Sequence, residues 1–441
     1  MDESGTTRFS RNVAWTLGAR LTIAGGSMLA GVIVARWLGA ASVGTLASLT
    51  VLTVLALSFG SFGLTSATTY LVARNRHQLR SVMAVAVSFA FIAGVILGLG
   101  IFVLTVIKPD VFGDIPTQLI TIAVLAIPFQ LLMQFSLAVF LGLGNIARYN
   151  LFDLFSQAFL VINPLVTLVL LGMGLLALVT LNAATAAFLS LVVLVILFRT
   201  AMAEGGNFRI DSTLAGEMFR YGLKFYVAMV SSVIIFRADL LIVNYFRGSS
   251  EAGVYAVSTQ VGTLIMLLPN VISTVLFPRV TEAQDTSGEM TCRVTRHTAF
   301  IMLVVCLASV PAAFLLPVLY GSAFAAVPFQ VLILLPGVYL LGIEIVQVQY
   351  FSSLGLPKVI PLFWVVTMLL FITLDLVFVP WFGAYGAAAV SSLAYSLMFV
   401  LVAIHFRSRT GRSYSESFLL SGDEFRGILK LHKTAIKTEL G

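Results

Sequence analysis

Long apolar runs follow one another along the chain and are separated by short polar segments. A helix of about 20 apolar residues is long enough to cross the hydrocarbon core of a bilayer, so each run predicts one membrane-spanning helix. The twelve predicted spans are 13–36, 43–71, 81–107, 118–143, 151–172, 175–198, 222–246, 254–279, 298–320, 327–352, 359–380 and 385–406. The predicted fold class is therefore all-α, a polytopic membrane protein.

The two sets of six spans resemble each other. Three small residues near the first turn recur 209 residues later: Gly39, Gly44 and Ala47 become Gly248, Gly253 and Ala256. The pair Leu143-Gly144 likewise recurs 211 residues later as Leu354-Gly355. The chain is predicted to be a duplicated half of about 210 residues. Since six is an even number, both halves enter the membrane from the same side, which predicts two parallel lobes around a central cavity.

Composition and charge place these helices in a membrane. Hydrophobic residues make up 59% of the chain and charged residues 10%, against about 45–50% and 25% in soluble domains. Of the 26 lysines and arginines, 21 lie in the segments that are cytoplasmic if the N-terminus is inside, and three lie in the opposite segments. The positive-inside rule then predicts that both termini are cytoplasmic and that the protein is a multi-pass protein of the cell (inner or plasma) membrane.

The polar segments divide the chain into four parts. We expect a six-helix lobe over 1–198, a cytoplasmic linker over 199–221, a second lobe over 222–406 and a basic tail over 407–441. In the tail, Ser421 and Glu424 fit a capping box, and apolar and basic residues alternate after them at helical spacing. This pattern predicts an amphipathic helix on an anionic leaflet; the alternative is a solvated tail.

The sequence shows no enzymatic motif. It has no phosphate-binding loop, no Gly-x-Ser-x-Gly and no pair of histidines one helical turn apart. The segment 142–147 matches a dinucleotide pattern but lies at the end of a span rather than after a strand. Cys292 and Cys306 offer no metal spacing. We predict no catalytic residues, no metal, no cofactor and no nucleic-acid partner.

The informative residues are charges at membrane depth: Arg20, Arg237, Asp239, Glu344 and Asp375, with Gln347 one turn from Glu344. Charged groups are expensive in hydrocarbon, so they are expected to face a cavity or a partner. We predict a transport cavity of Arg20, Arg237, Glu344 and Gln347, in which the two arginines bind an anionic group. Glu344, Asp375 and Asp239 are candidates for ion coupling. The alternative is that these charges pair across helices, for example Arg20 with Glu344.

Three stretches carry a resemblance to a known family. They are Ala35-Arg36-Trp37-Leu38-Gly39, Ala238-Asp239-Leu240-Leu241 with Gly253-Val254-Tyr255-Ala256, and Val379-Pro380-Trp381-Phe382-Gly383-Ala384-Tyr385-Gly386. In these stretches the chain resembles one branch of the multidrug/oligosaccharidyl-lipid/polysaccharide exporter superfamily. This is the polysaccharide-biosynthesis branch, which includes the O-antigen flippases.

The resemblance implies two six-helix lobes that rock to expose a central cavity to either face in turn. It implies that the cargo is a polyprenyl-pyrophosphate-linked glycan moved from the inner to the outer leaflet, with a polysaccharide polymerase and assembly proteins as partners. The expected function is a flippase for cell-surface polysaccharide synthesis. Two alternatives stay open: a cation-coupled multidrug antiporter of the same superfamily, and a scaffold that does not transport.

Overall fold

A computed structural model describes residues 3–74, 78–203, 208–209, 211–283, 285–355 and 357–420, with the side chains of 3–22, 24, 203, 224 and 225 left undescribed. All regular elements in these ranges are helical. The helices are α1 (Glu3–Ser61), α2 (Leu64–Arg74), α3 (Leu79–Ile107), α4 (Thr117–Leu125), α5 (Ile127–Gly142), α6 (Ile146–Pro164), α7 (Leu175–Ala203), α8 (Ser212–Arg247), α9 (Ser249–Glu282), α10 (Glu289–Ala313), α11 (Leu316–Tyr320), α12 (Val327–Ser353), α13 (Val359–Thr410) and α14 (Tyr414–Phe418). Short 3₁₀ turns at Pro109–Phe112 and Ser322–Phe324 and a π-helical segment at Leu165–Leu170 connect some of them.

The helices have the length and composition of membrane spans, which confirms the predicted all-α polytopic class. Within the described residues, ten helical stretches are long and apolar enough to cross a bilayer. Helices suit this environment because each satisfies its backbone hydrogen bonds internally, where no water is present to do so.

Two of these stretches are interrupted by a glycine with non-helical backbone angles, Gly39 in α1 and Gly383 in α13. The 52 residues of α13 would span about 78 Å as a straight helix, more than twice the hydrocarbon thickness of about 30 Å. A methyl group added at Gly386 would lie 2.9 Å from the carbonyl oxygen of Phe378, so the chain turns back sharply at Gly383. Dividing both helices at their glycine yields twelve segments, the number that the sequence predicts. The number of membrane crossings itself stays a prediction.

Backbone angles at the repeated glycines are alike in the two halves. Gly39 has φ 79° and ψ 177°, and its counterpart Gly248 has φ 83° and ψ 169°. Both angles lie where a side chain is strongly disfavoured, so glycine is required for this turn. The second pair, Gly144 and Gly355, also has positive φ in both copies. These observations support the duplication that the sequence spacing predicts.

The two halves meet at another repeated pair, Gly44 in α1 and Gly253 in α9. A methyl group at Gly44 would overlap the carbonyl oxygen of Ser249, and one at Gly253 would overlap that of Ala40. Ala40 and Ser249 are themselves 209 residues apart, so the contact is symmetric between the halves. Small residues four apart let two helix backbones approach closely, as is common in membrane helix pairs.

This contact predicts a clear effect of substitution. Gly44→Ala is expected to lower the stability of the purified protein by about 1–3 kcal/mol, the usual cost of overpacking, because the methyl group meets backbone that cannot move aside. Thermal unfolding in detergent measures this. Gly100→Ala is the matched control, since a Cβ there meets open space in the middle of a helix. Equal unfolding temperatures for the two variants would contradict the close approach.

Breaks in the helices occur at glycine and proline residues within the predicted spans. The second predicted span, 43–71, is interrupted at Phe62 and Gly63, both with positive φ, within the stretch Gly60-Ser61-Phe62-Gly63. Pro128 lies in the first turn of α5 and Pro164 ends α6 before the π-helical segment. A proline lacks the backbone N–H of a helical residue and thereby weakens the preceding turn.

Two helix ends lie inside the predicted cytoplasmic linker of 199–221, which itself stays a prediction. The helix α7 continues to Ala203, where Arg80 donates hydrogen bonds to the carbonyls of Ala201 and Met202. Asp211 caps the start of α8 by accepting hydrogen bonds from the backbone N–H groups of Thr213 and Leu214. The bond from Thr213 is the main reason why the pKa of this exposed carboxyl is lowered. The predicted tail helix lies outside the described residues, from 421 onward.

Contacts between the halves occur at both ends of the bundle. At the predicted outer end, the side-chain amide of Asn244 donates to the carbonyl of Phe112, and the backbone N–H of Ser249 donates to Asp114 at 3.1 Å. At the predicted inner end, the Tyr226 hydroxyl donates to the carbonyl of Phe59 at 2.9 Å. The space between these two sets of contacts is where a ligand shared by both halves would lie.

Candidate functional site

Arg237 lies in the middle of α8, on the face that contacts the N-terminal half. Tyr226 and Asn244 are eleven and seven residues away from it, so all three lie within about 20° of one another around the helix. Tyr226 contacts the N-terminal half at one end of the bundle and Asn244 at the other. The side chain of Arg237 is exposed between these contacts. Helical spacing therefore places Arg237 on the side of α8 that carries these two contacts, and its guanidinium group interacts electrostatically with Asp239 and with Tyr395 of α13. That it faces the space between the halves stays a prediction.

A crevice of about 380 Å³ lies one helical turn beyond Arg237 along α8, and its described lining does not include Arg237. It lies between the halves, with Ser48 and Leu52 of α1 on one side and Leu241 and Tyr245 of α8 on the other. Leu241 follows Arg237 by four residues and so lies on the same face of the helix. The second predicted arginine, Arg20, belongs to α1, but its side chain lies outside the described residues.

Asp239 has a different environment from Arg237, as their spacing of two residues predicts. Its side chain is 2% exposed. One carboxylate oxygen accepts hydrogen bonds from the Tyr255 hydroxyl at 2.6 Å and from the Ser391 hydroxyl at 3.0 Å. The other accepts the backbone N–H of Leu240 at 2.8 Å. These bonds join α8, α9 and the part of α13 after Gly383, and they hold the carboxylate in a fixed position.

Asp375 lies on the part of α13 before Gly383, close enough to Asp239 for the two carboxylates to repel each other. It is fully buried, and neither of its carboxylate oxygens has a hydrogen-bond partner among the described residues. Burying a carboxylate without a partner is strongly unfavourable, so the group needs a proton or a cation. The structure thus brings together two of the three residues predicted for ion coupling, with hydroxyl oxygens from Tyr255 and Ser391 beside them.

The third, Glu344, lies elsewhere in the C-terminal half. It shares a face of α12 with Gly337 and Phe351, because the three are spaced by seven residues. Gly337 donates to the hydroxyl of Ser392 at 3.0 Å, and the Phe351 ring stacks on His405 at 4.9 Å. Glu344 therefore faces α13 between these contacts.

Glu344 and Gln347 are each 1% exposed. Both carboxylate oxygens of Glu344 and the amide oxygen of Gln347 lack a partner among the described residues. Neither carboxylate oxygen of Glu344 nor the amide oxygen of Gln347 is hydrogen-bonded to Arg237. Their predicted role in substrate binding stays a prediction. No group of three or more histidine, cysteine, aspartate or glutamate side chains able to hold a metal occurs in the part of the chain that the structure describes.

Sequence reasoning missed a cavity of about 590 Å³ inside the N-terminal half. It lies between the second segment of α1 and the helices α4 to α7. Its polar lining includes Gln130 with Gln134 and Asp153 with Gln157, two pairs spaced by four residues. Gln130, Gln134 and Gln157 are uncharged amides at helical spacing within the predicted spans, and Asp153 is a carboxyl at the start of the predicted span 151–172. These are the sequence signals that could have indicated the cavity.

The arrangement of helices is that of a known class of membrane transporters. The fold is similar to the lipid II flippase MurJ in its inward closed conformation, with a TM-score of 0.73 and 14% identity, covering 89% of this chain and 87% of that one. It is also similar to an inward-facing multidrug-resistance transporter of the MATE family, MOP superfamily, with a TM-score of 0.69 and 14% identity over 88% of this chain and 94% of that one. At these identities the likeness shows the fold alone.

Sequence comparison identifies the family. A profile described as "Polysaccharide biosynthesis protein" matches residues 33–328, about two thirds of the chain. The chain belongs to this family, as its sequence resemblance indicates. A curated relative, the "Probable low-salt glycan biosynthesis flippase Agl15" of Haloferax volcanii, is 21% identical over 204 residues, which cover 44% of this chain and 42% of that protein. The match therefore spans less than half the length of that relative.

Proposed function

We propose that this chain moves a polyprenyl-pyrophosphate-linked oligosaccharide from the inner to the outer leaflet for cell-surface polysaccharide synthesis. The proposal is supported by Arg237, an exposed arginine in the middle of α8, on the side of that helix where Tyr226 and Asn244 contact the N-terminal half. A guanidinium group keeps its charge at any relevant pH and matches the oxygens of a phosphate in two parallel hydrogen bonds. Family membership supports the glycan part of the cargo.

Alternating access is the mechanism that this arrangement favours. Contacts close to Gly44 and Gly253 join the halves at one end, and the bond from Tyr226 to Phe59 joins them at the other. Breaking one set while keeping the other would expose Arg237 to one side of the membrane at a time. The distribution of lysine and arginine places both termini in the cytoplasm in this proposal. A polymerase and assembly proteins are the expected partners at the outer side.

Ion coupling is assigned to Asp239 and Asp375 in this proposal. Oxygen ligands suit hard cations such as sodium, and the pair supplies two carboxylates with the hydroxyls of Tyr255 and Ser391 close by. Binding of a proton or a sodium ion would remove the repulsion between the carboxylates and change the packing of α8 against α13. A cation gradient could then drive the exchange between the two orientations of the halves.

A reconstituted transport assay tests the function. The purified chain is placed in liposomes whose outer leaflet carries a fluorescent polyprenyl diphosphate bearing a short neutral oligosaccharide, and a lectin that cannot cross the membrane reports the fraction still accessible. We expect that fraction to fall faster with the protein than in liposomes without it. Identical rates with and without protein would contradict the proposal.

A cation-coupled multidrug antiporter is the second candidate, and one observation favours it. Glu344 and Asp375 are buried carboxyls without described partners, the kind of group that binds a cation or a cationic drug. Arg237 opposes this function because a fixed positive charge facing the cleft disfavours positive cargo. Drug resistance in a sensitised host, gained on expression of the chain, would favour the antiporter over the flippase.

A further inference from the structure

The loop between α3 and α4 joins the N-terminal half to the C-terminal half at the predicted outer end. Phe112, Gly113 and Asp114 follow one another in this loop, and Gly113 has φ 66°. The carbonyl of Phe112 accepts a hydrogen bond from the side-chain amide of Asn244, in α8, at 2.9 Å. A Cβ at Gly113 would lie 2.8 Å from the nitrogen of the same amide, so the loop lies directly against α8.

Asp114 extends this contact to the first residue of α9. Its carboxylate accepts hydrogen bonds from the backbone N–H of Ser249 at 3.1 Å and from the Ser249 hydroxyl. The first N–H groups of a helix have no partner within the helix and carry partial positive charge, so a carboxylate beside them is stabilised. A loop of the N-terminal half therefore caps a helix of the C-terminal half.

The corresponding loop of the C-terminal half, between α10 and α12, has the same features. Its residues 320–322, Tyr-Gly-Ser, lie 208 residues after 112–114, Phe-Gly-Asp. Gly321 also has a positive φ, 114°. The aromatic side chain before the glycine is buried in both copies, with 8% of Phe112 and 1% of Tyr320 exposed. The two loops are therefore a third repeated pair of the duplication.

This second loop contacts the first helix of the N-terminal half. The guanidinium group of Arg36 donates a hydrogen bond to the carbonyl of Leu319 at 2.7 Å and another to the carbonyl of Val318. The Tyr320 hydroxyl donates to the carbonyl of Met28 at 3.2 Å. Each half thus carries a loop that is bonded to the opposite half.

The two contacts are related by the duplication. Arg36 lies three residues, and Asn244 four residues, before the repeated glycine of its own half. Each of the two side chains donates to backbone carbonyls of the loop in the other half. We call these contacts the two outer clasps: loop 108–116 on α8 and α9, and loop 314–326 on α1.

We propose that the two outer clasps form the gate of the predicted outer end, and that Asp114 and Arg36 determine how often it opens. The inference rests on the proposed function, because alternating access requires this end to open. Each clasp joins the two halves, so the end stays closed until both have released. Hydrogen bonds to charged groups are the stronger kind, which gives these two side chains the largest share. The clasps differ in charge, since Ser322 stands in the place of Asp114 in the second loop.

Labelling of a buried cysteine between the halves tests the gate without any cargo. Ser48 is 0% exposed and lines the crevice between α1 and α8, so Ser48→Cys reports the opening of this end. It is placed in a chain whose Cys292 and Cys306 are replaced by serine. A thiol reagent that cannot cross the membrane is added outside cells that express the full chain, and the labelled fraction is followed over time.

Two variants of this chain should open the gate more often. Asp114→Asn keeps the size of the side chain and removes its charge, and Arg36→Gln removes both the charge and the planar fork. We expect each to raise the labelling rate at least about tenfold, because labelling follows the fraction of open molecules and each variant loses bonds to a charged group. Since the clasps are separate contacts, the double variant should show the product of the two factors.

The matched controls are Asp110→Asn and Arg247→Gln. Asp110 is an exposed carboxyl of the first loop, and Arg247 is an exposed arginine that pairs with Glu251 within its own half. Both controls should label as slowly as the parent chain. Thermal unfolding in detergent checks that each variant is folded, and Asp114→Asn alone decides the test if Arg36→Gln fails to fold.

A cross-link tests whether the first clasp must release during transport. Asp114→Cys and Ser249→Cys are joined by a short, cleavable bifunctional thiol reagent, and transport of the lipid-linked oligosaccharide is measured in liposomes. We expect the rate to fall to that of liposomes without protein and to recover when the cross-link is cleaved. The control pair is Glu251→Cys with Ala384→Cys, whose parent residues are hydrogen-bonded at 2.7 Å within the C-terminal half. Cross-linking this pair should leave its transport rate unchanged.

The outcomes separate the gate from the cargo. If Asp114→Asn and Arg36→Gln label as slowly as the controls, the clasps do not close this end and the gate is refuted, while the transport assay still decides the proposed function. If labelling rises as expected but the parent chain moves no lipid-linked oligosaccharide, the gate is supported and the proposed cargo is wrong. If the cross-linked Asp114→Cys and Ser249→Cys chain transports at its rate before cross-linking, the first clasp is not part of the gate and the proposal is overturned.

Discussion

Replacing Arg237 by alanine should reduce transport of the lipid-linked oligosaccharide at least about a hundredfold. Each hydrogen bond to a charged group contributes about 1.5–3 kcal/mol, and a guanidinium group can make two with one phosphate, so losing both is worth two orders of magnitude or more. The assay is the lectin-protection rate in liposomes. Arg237 is exposed, so its removal leaves packing intact and the protein should still be recovered from the membrane at normal levels.

Two further variants test whether the effect at Arg237 comes from its guanidinium group. Arg237→Lys keeps the charge but loses the planar fork, and it should retain partial activity. Arg209→Ala removes an exposed arginine from the segment between α7 and α8 and should change nothing. Full transport by Arg237→Ala would show that the diphosphate is bound elsewhere, and the cleft would lose its assigned role.

The second large effect is expected at the acidic pair. Asp375→Asn should abolish the dependence of transport on a cation gradient while keeping or raising the unfolding temperature. The carboxyl of Asp375 has no described partner, so an uncharged amide removes repulsion with Asp239 without breaking a hydrogen bond. Transport with and without a sodium or proton gradient, measured in the same liposomes, reports the coupling.

Asp239→Asn should differ from Asp375→Asn in stability. The Asp239 carboxylate accepts from Tyr255, Ser391 and Leu240, and disturbing buried partners of this kind costs about 1–3 kcal/mol. We therefore expect loss of coupling together with a lower unfolding temperature. Asp110→Asn, at an exposed carboxyl in the turn after α3, serves as the control for both. If the ratio of the transport rates with and without a cation gradient is unchanged in both variants, the ion site does not lie in this part of the protein.

Much of the fold is predictable from the sequence because a membrane imposes simple rules. Apolar runs of about 20 residues must be helices, and the spacing of Gly39 and Gly44 from Gly248 and Gly253 by itself indicates a duplication. The break at Phe62–Gly63 is marked by two glycines close together. Helix ends are less predictable: α7 extends into the predicted linker because Arg80 caps its last carbonyls, a contact across 121 residues of sequence.

The candidate site was only partly predictable. Charge at membrane depth pointed to Arg237, Asp239 and Asp375, but the direction in which each side chain points depends on the packing of α8 against α13. The sequence signal of Glu344 is as strong as that of Arg237, and yet Glu344 lies in the interior, against α13. The polar lining of the N-terminal cavity, apart from Asp153, consists of neutral groups, which are common in membrane helices and become a site only when several helices bring them together.

Cysteine accessibility tests most directly whether position 237 faces water between the halves. Cys292 and Cys306, both buried, are first replaced by serine. A cysteine reacts as its thiolate, which forms in water and not in lipid or dry packing. We expect Arg237→Cys to react with a thiol reagent that cannot cross the membrane, and polyprenyl diphosphate to slow this reaction. Ile235→Cys, at a buried position on the same helix, should not react. If Arg237→Cys is as inert as Ile235→Cys while Arg209→Cys reacts, no wet cleft exists at that depth and the proposed binding of the diphosphate is wrong.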